Sequence, residues 1–227
     1  MEGVDFEMPN TNSLRSARTF YVTRIAMLTA VASLLMIIEL PIPIFPSFYK
    51  LDFSYFPVVI ATFSMGPVAG TVTAVLKNLI AFLAAGVFTE SAGVGALADM
   101  LIGLSFIIPA GLIYRKKHSK KGAVIALGVS LVSSAVISCA LNYWLLIPVY
   151  ANLFGLDGVL AAAQEACSFV KDVKGVIVFG TLPFNLTKWI IISLLTLFTY
   201  KPLSGSLLKK PNTRQKREAS DSGHRVS

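Results

Sequence analysis

Long, uninterrupted apolar runs are the feature of this sequence that most limits what it can fold into. Six such runs lie between polar or basic segments, at residues 22–40, 53–65, 68–87, 96–114, 122–149 and 175–200. A helix needs about 20 apolar residues to cross the hydrocarbon core of a bilayer. A transmembrane barrel would instead alternate polar and apolar residues along each strand. The runs therefore predict an all-α integral membrane protein with six transmembrane helices, of which the second is short.

The composition indicates the same class. Of the 227 residues, 55% are hydrophobic and only 14% are charged, whereas an ordinary soluble domain has about 25% charged residues. A soluble fold of this size would leave too much apolar surface in contact with water. A soluble enzyme, a disordered chain and a disulfide scaffold are therefore excluded.

The placement of the basic residues predicts the topology. With six spans, the residues up to Arg24, the 115–121 loop and the residues from Lys201 onward share one side and carry 15 of the 20 lysines and arginines, and the outer connectors carry three. Basic loops favour the cytoplasmic side, so both termini are predicted to be cytoplasmic. Because topology explains the net charge of +8, no nucleic-acid partner is predicted.

Three regions follow from this layout. Residues 1–20 are predicted to form a cytoplasmic N-terminal segment, residues 21–202 a six-helix substrate-binding domain in the bilayer, and residues 203–227 a basic, disordered cytoplasmic tail. No catalytic motif is present, since the chain lacks a P-loop, an HExxH pair and a GxSxG turn. Cys139 and Cys167 form neither a CxxC pair nor a Cys/His cluster, so no metal is predicted. The chain is not expected to be an enzyme, and any ATPase that drives transport must be another chain.

Lys188 is the strongest candidate for a functional side chain, because it lies near the middle of the sixth run. A charged residue at that depth is energetically costly and is by default a functional residue. Asn185 precedes it by three positions and therefore faces the same side of a helix, and Pro183 loosens the local backbone. The pair predicts a ligand contact; the alternative is a structural lysine paired with a carboxylate such as Glu39 or Asp99.

Other intramembrane polar residues have two interpretations. Lys77 and Asn78 are adjacent and point about 100° apart on a helix, so one of them is expected to make an interhelical bond. Asn142, in the outer half of the fifth run, either bonds a ligand or holds helices together.

The first outer connector is unusually aromatic. Residues 45–57 read FPSFYKLDFSYFP and place Lys50 and Asp52 among six aromatic rings. Such a loop is either part of the aromatic belt at the membrane interface or a cover for a flat aromatic ligand with a polar edge. Asp99 and Glu90 lie near the same side and are candidates for the rim of that site.

Small residues recur at helical spacing in two places. Ala26 and Ala30 form an AxxxA pair in the first run, and Gly66 and Gly70 form a GxxxG pair at the start of the third. Such pairs let helix backbones approach closely. They serve either packing within the bundle or docking of a partner membrane protein.

Several motifs together resemble the riboflavin-specific S component of energy-coupling factor (ECF) transporters. They are KLDFSYFP (50–57), MGPVAG and LKN (within 65–78), NYWLLIPVY (142–150) and PFNLTK (183–188). The resemblance covers about residues 20–202. It implies a six-helix, multi-pass subunit of the bacterial plasma membrane that captures riboflavin at the outer face. Riboflavin would be cargo and not a redox cofactor, and the partners would be a transmembrane coupling subunit and two ATPase subunits.

The resemblance also implies site residues. The substrate-binding positions would be Tyr49, Lys50, Leu51, Asp52, Asn142, Asn185 and Lys188, and Ala26 and Ala30 would form the docking face for the coupling subunit. One position departs from the family, which often has an acidic residue after the serine of the loop; here Tyr55 follows Ser54. The alternatives are an S component for another vitamin or precursor, a stand-alone secondary carrier, and a structural membrane scaffold.

Overall fold

A computed structural model describes residues 11–85 and 93–206 of the chain. Within these ranges the chain forms nine α-helices: α1 (Thr11–Ile37), α2 (Tyr55–Met65), α3 (Pro67–Ala85), α4 (Val94–Lys116), α5 (Lys120–Leu141), α6 (Ile147–Phe154), α7 (Leu156–Ala166), α8 (Val173–Gly175) and α9 (Leu182–Ser206). Two short strands, β1 (Leu40–Pro41) and β2 (Lys50–Leu51), pair antiparallel in the connector between α1 and α2. Glu90 and most of the predicted C-terminal tail lie outside the described residues.

Five helical stretches are long and apolar enough to cross a membrane, which confirms the all-α membrane class. They are Arg18–Ile37, Pro67–Ala84, Val94–Lys116, Lys120–Phe154 and Val173–Thr199. The second apolar run forms α2, which has 11 residues and is therefore only about 16 Å long. That length is about half the thickness of the hydrocarbon core.

The short helix α2 lies at the centre of the bundle, where it contacts α1, α3, α4 and α9. Its Tyr55 is fully buried beside the stacked rings of Phe106 and Trp189, whose centroids are 4.0 Å apart. The outward faces of the long helices carry exposed valine, leucine and isoleucine side chains. This distribution is the one expected of a bundle surrounded by lipid.

The GxxxG pair is used inside the bundle. Gly66 adopts a φ of 99° where α2 ends, and Pro67 begins α3. A Cβ atom on Gly70 would lie 1.9 Å from Thr62 Oγ1, so only glycine lets α3 approach α2 at this point. The internal-packing interpretation therefore holds for this pair.

Two π-helical segments interrupt the long helices near the same end of the bundle. Asn142–Leu146 joins α5 to α6, and Val176–Thr181 joins α8 to α9. Pro148 and Pro183 follow these segments, and a proline ring clashes with the carbonyl one turn earlier. A wider turn relieves that clash, and such turns often occur at functional sites. The first segment begins with Asn142, and the second ends with Thr181, one turn before Asn185.

Candidate ligand-binding site

A cavity of about 1200 Å³ lies at the end of the bundle that the connector between α1 and α2 covers. Ligand pockets usually measure about 300–1,000 Å³, so the space is sufficient for a vitamin-sized molecule. Its lining includes six of the seven predicted binding residues: Tyr49, Lys50, Asp52, Asn142, Asn185 and Lys188. Leu51 instead packs behind the connector with Phe45 and Phe184.

Three buried charges, those of Asp52, Lys77 and Lys188, and the half-buried carboxylate of Asp99 form the polar floor of the cavity. Lys188 Nζ is 2.8 Å from Asp52 Oδ2 and 3.0 Å from Asp99 Oδ1. Lys77 Nζ is 2.9 Å from the other oxygen of Asp99, Oδ2. The network joins the α1–α2 connector, α3, α4 and α9, and its formal charges sum to zero.

Lys188 is therefore paired with carboxylates, as the structural interpretation of this lysine expected. The partners of Lys188 are Asp99, which the sequence suggested, and Asp52. Glu39 instead pairs with Lys50 at 2.6 Å on the surface of the connector. Pairing does not remove Lys188 from the cavity lining, and a lysine has three N–H donors. Structural pairing and ligand contact are thus compatible.

Asp52 is itself held in place by the start of α2. Its Oδ1 accepts hydrogen bonds from the backbone N–H of Ser54, at 2.8 Å, and from the Ser54 hydroxyl. An aspartate that accepts from the backbone N–H two residues later, as in an Asx turn, has little freedom to rotate. Its other oxygen therefore points at Lys188.

Lys77 and Asn78 both make contacts between helices, one more than the sequence predicted. Lys77 lies over the ring of Tyr55, 3.8 Å from its centroid, and bonds Asp99. Asn78 Nδ2 donates to Tyr55 Oη at 3.3 Å. The sequence indicated Asp99 only as a rim residue or as the partner of Lys188, and it did not place Lys77 in the site. Because a buried lysine needs a carboxylate partner, Lys77 in the middle of the third run is the signal that points to the Lys77–Asp99 pair.

Tyr49 brings the connector down onto the later helices. Its ring stacks on Phe184 with centroids 4.9 Å apart. Its hydroxyl donates to Asn142 Oδ1 at 2.8 Å, and a 2.5 Å hydrogen bond joins it to Thr181 Oγ1. Burial raises the pKa of the Tyr49 phenol well above its usual range, so it stays a neutral donor. Two predicted binding residues, Tyr49 and Asn142, thus contact each other.

The two asparagines are anchored in the same manner. Asn142 Nδ2 donates to Ser138 O and Asn185 Nδ2 donates to Thr181 O, each at 2.9 Å and each one turn back along its own helix. The Asn142 amide oxygen is occupied by Tyr49. The Asn185 amide oxygen has no hydrogen-bond partner among the described residues, and Asn185 lines the cavity.

The predicted docking alanines lie on the outer face of α1. Ala26 and Ala30 are both exposed, while Ile25, Thr29 and Ala32 face the bundle. Packing within the described bundle therefore does not use the AxxxA face. Ala30 also borders the cavity, whereas Ala26 does not.

Comparisons with known proteins identify the family of the chain. Residues 20–200 match the family model of the ECF transporter, substrate-specific component. The riboflavin transporter RibU of Staphylococcus aureus (strain TCH60) is 36% identical over 183 residues, which cover 81% of this chain and 89% of that protein. The riboflavin transporter FmnP of Bacillus subtilis (strain 168) is 31% identical over 171 residues, covering 74% of this chain and 84% of that protein.

A solved S component of a bacterial ECF transporter has a similar fold. It aligns with a TM-score of 0.66 and 32% sequence identity, and the alignment covers 85% of this chain and 99% of the solved chain. The family consists of transport components, so the chain is a multi-pass bacterial membrane protein and not an enzyme. The chain belongs to the substrate-specific S components of ECF transporters.

Proposed function

We propose that this S component binds riboflavin at the outer face of the membrane and delivers it inward with an ATP-driven coupling module. The observation that carries the proposal is the cavity beneath an aromatic connector, lined by Asn142, Asn185 and Lys188. The two relatives described above are named as riboflavin transporters, which supports the same ligand.

Riboflavin has flat apolar ring faces, a uracil-like edge with carbonyls and an imide N–H, and a hydroxylated chain. The rings of Tyr49, Phe184 and Trp189 in the lining can cover the faces of the flavin and remove them from water. Lys188 supplies a donor for a carbonyl, and the free amide oxygen of Asn185 supplies an acceptor for the imide. Lys50 lies at the rim, Asp52 acts from the floor through Lys188, and Leu51 supports the connector by packing on Phe45 and Phe184.

The position of the cavity supports an outer-face site. It lies at the start of α4, whereas the exposed basic loop of residues 115–121 lies at the far end of that helix. The 23 residues of α4 separate the two ends by about 35 Å. Basic loops favour the cytoplasm, so the cavity faces outward in a topology with six spans, α2 being the short second one, and both termini cytoplasmic. The segments 1–20 and 203–227 then lie in the cytoplasm.

The partners we propose are a transmembrane coupling subunit and two ATPase subunits. The exposed AxxxA face of α1 is the surface proposed for docking. Lipid provides no hydrophobic drive between helices, so close packing of small residues must hold such a contact.

Titration of the purified protein tests the ligand. After extensive dialysis, riboflavin should bind one to one, with flavin fluorescence quenched by the neighbouring rings and a matching calorimetric heat. Thiamine and biotin, titrated in the same way, should give neither heat nor competition. If riboflavin gives no quenching and no heat, the ligand assignment is wrong; a response to another vitamin would favour an S component of different specificity.

A further inference from the structure

Asp99 stands at the centre of the buried charge network. Its two oxygens contact different lysines, Lys188 through Oδ1 at 3.0 Å and Lys77 through Oδ2 at 2.9 Å. Among the four charges, its side chain is the most exposed, at 22%, while Lys77 is at 0% and Lys188 at 7%. A carboxylate shared by two buried ammonium groups is placed to fix the position of both.

The backbone around Asp99 is also fixed. Tyr55 Oη donates to the Asp99 carbonyl at 2.5 Å. The tyrosine reaches it because Gly103, one turn later in α4, has no side chain: a Cβ there would lie 1.9 Å from Tyr55 Oη. Asp99 thus belongs to a rigid helix, whereas Asp52, the other partner of Lys188, belongs to the connector.

We propose that Asp99 is a positioning residue for the ligand contact of Lys188, and that Lys77 supplies the charge that allows Asp99 to stay ionised there. Two of the three Lys188 donors are directed at Asp52 and Asp99, and the side chain lines the cavity, so the third donor remains for the ligand. Lys77 neutralises the second charge of the floor, because burying an unpaired carboxylate is strongly unfavourable. This inference rests on the proposed function.

The network can be divided into two neutral pairs, which makes the inference testable without leaving a buried charge unpaired. K77M/D99A removes one lysine and one carboxylate and leaves Lys188 with Asp52. K188M/D52N removes the other pair and leaves Lys77 with Asp99. Removing both members of a buried ion pair together avoids the large penalty of leaving one charge unpaired. The wild type, the two double variants and the quadruple variant therefore form a cycle in which every corner is neutral.

Riboflavin affinity is measured at each corner by fluorescence titration, with the melting temperature of the empty protein as the test of folding. K77M/D99A should fold and should bind riboflavin roughly tenfold or more weakly, because Lys188 loses one of its two carboxylate partners. When K77M and D99A are added to K188M/D52N, riboflavin affinity should not fall further. S105A is the matched control in α4, since among the described residues the Ser105 hydroxyl bonds only the carbonyl of Ile102 in its own helix; its affinity should equal that of the wild type.

Two results would overturn the inference: wild-type affinity in folded K77M/D99A, or an equal loss of affinity in both backgrounds, which would mean that Asp99 acts without Lys188. If K77M/D99A does not purify, K77M/D99N keeps the size of the side chain and should show a smaller loss in the same direction.

A second readout needs no ligand. In the wild type, the Lys188 ammonium should exchange its hydrogens slowly with solvent, as followed by NMR on protein with nitrogen-labelled lysines and assigned by the loss of its signal in K188M/D52N. The exchange should be faster in K77M/D99A. Failure of the wild type to bind riboflavin would contradict the proposed function alone, whereas unchanged Lys188 exchange in K77M/D99A would contradict the positioning role.

Discussion

The ammonium group of Lys188 has three N–H donors, and the protein directs two of them at Asp52 and Asp99. Asn185, one turn earlier in α9, has its amide nitrogen bonded to Thr181 O and its amide oxygen without a partner among the described residues. The two side chains therefore differ in what their removal does to the empty protein. Loss of Lys188 leaves two carboxylates with one lysine, whereas loss of Asn185 breaks a single bond within its own helix.

Asn185→Ala is accordingly the cleaner test of ligand contact. The variant should bind riboflavin more weakly by about 1–3 kcal/mol, or roughly 5- to 150-fold, because a buried polar group of the ligand loses its partner. Isothermal calorimetry measures the affinity, and the melting temperature without ligand should be nearly unchanged. Thr187→Ala is the control, since within the described part of the chain the Thr187 hydroxyl bonds only Pro183 O in the same helix, and Thr187 is not among the residues that line the cavity. Equal affinity of both variants would remove Asn185 from the site.

At the scale of elements, the connector between α1 and α2 is attached to α5 and α9 at the two π-helical segments. Tyr49 contacts Asn142, the first residue of one segment, and Thr181, the last residue of the other. Gly180 lies directly against the connector: a Cβ there would lie 3.3 Å from Pro46 Cγ, a tight contact, and 3.5 Å from the Tyr49 ring, an ordinary one. The wide turns therefore carry a predicted binding residue, Asn142, together with both points where the connector is attached.

Tyr49→Phe should loosen the connector in the empty protein while its ring still stacks on Phe184. Each hydrogen bond lost contributes about 0.5–1.5 kcal/mol, so the connector should open between about 2- and 12-fold more often per bond. Hydrogen–deuterium exchange of the backbone amides in residues 42–51, read by mass spectrometry, measures this opening. Ser47→Ala, at an exposed position of the same connector, should not change it. Unaltered exchange in Tyr49→Phe would show that the stacked ring alone holds the connector.

The same elements show what the sequence could and could not predict. Continuous apolar runs predicted the helices, because burial in lipid depends on the composition of each segment alone. The PFNLTK motif placed Asn185 and Lys188 on one face, since helical spacing is a local property. The partner of Tyr49 was not predictable, because Asn142 is 93 residues away and the pairing depends on how α5 packs. The π-helical segments were missed too; Pro183 was noted as loosening the backbone, but it does not by itself specify a wider turn.

At the scale of the whole molecule, its two ends differ in chemistry. One end holds the neutral charge network, the aromatic connector and the cavity, and the other holds the exposed basic loop of residues 115–121. The long helices between them expose apolar side chains on their outer faces. A partner in the membrane must therefore recognise shape, and the AxxxA face of α1 is where two backbones can approach closely without displacing the packing of the bundle.

Ala26→Trp tests this docking surface without touching the cavity, which Ala30 borders and Ala26 does not. Helix axes that pack through small residues are only about 8–10 Å apart, so an indole at position 26 should hold the partner helix away. Riboflavin binding by the isolated subunit should be unchanged, while co-purification with the coupling and ATPase subunits and uptake of labelled riboflavin by cells should be lost.

Met27→Trp is the control: it adds the same ring about 100° around the helix, at an exposed position, and should preserve assembly and uptake. Normal assembly with Ala26→Trp, or equal loss with both variants, would contradict docking through this face. Weakened binding by the isolated Ala26→Trp subunit would instead place this face of α1 within the ligand-binding unit.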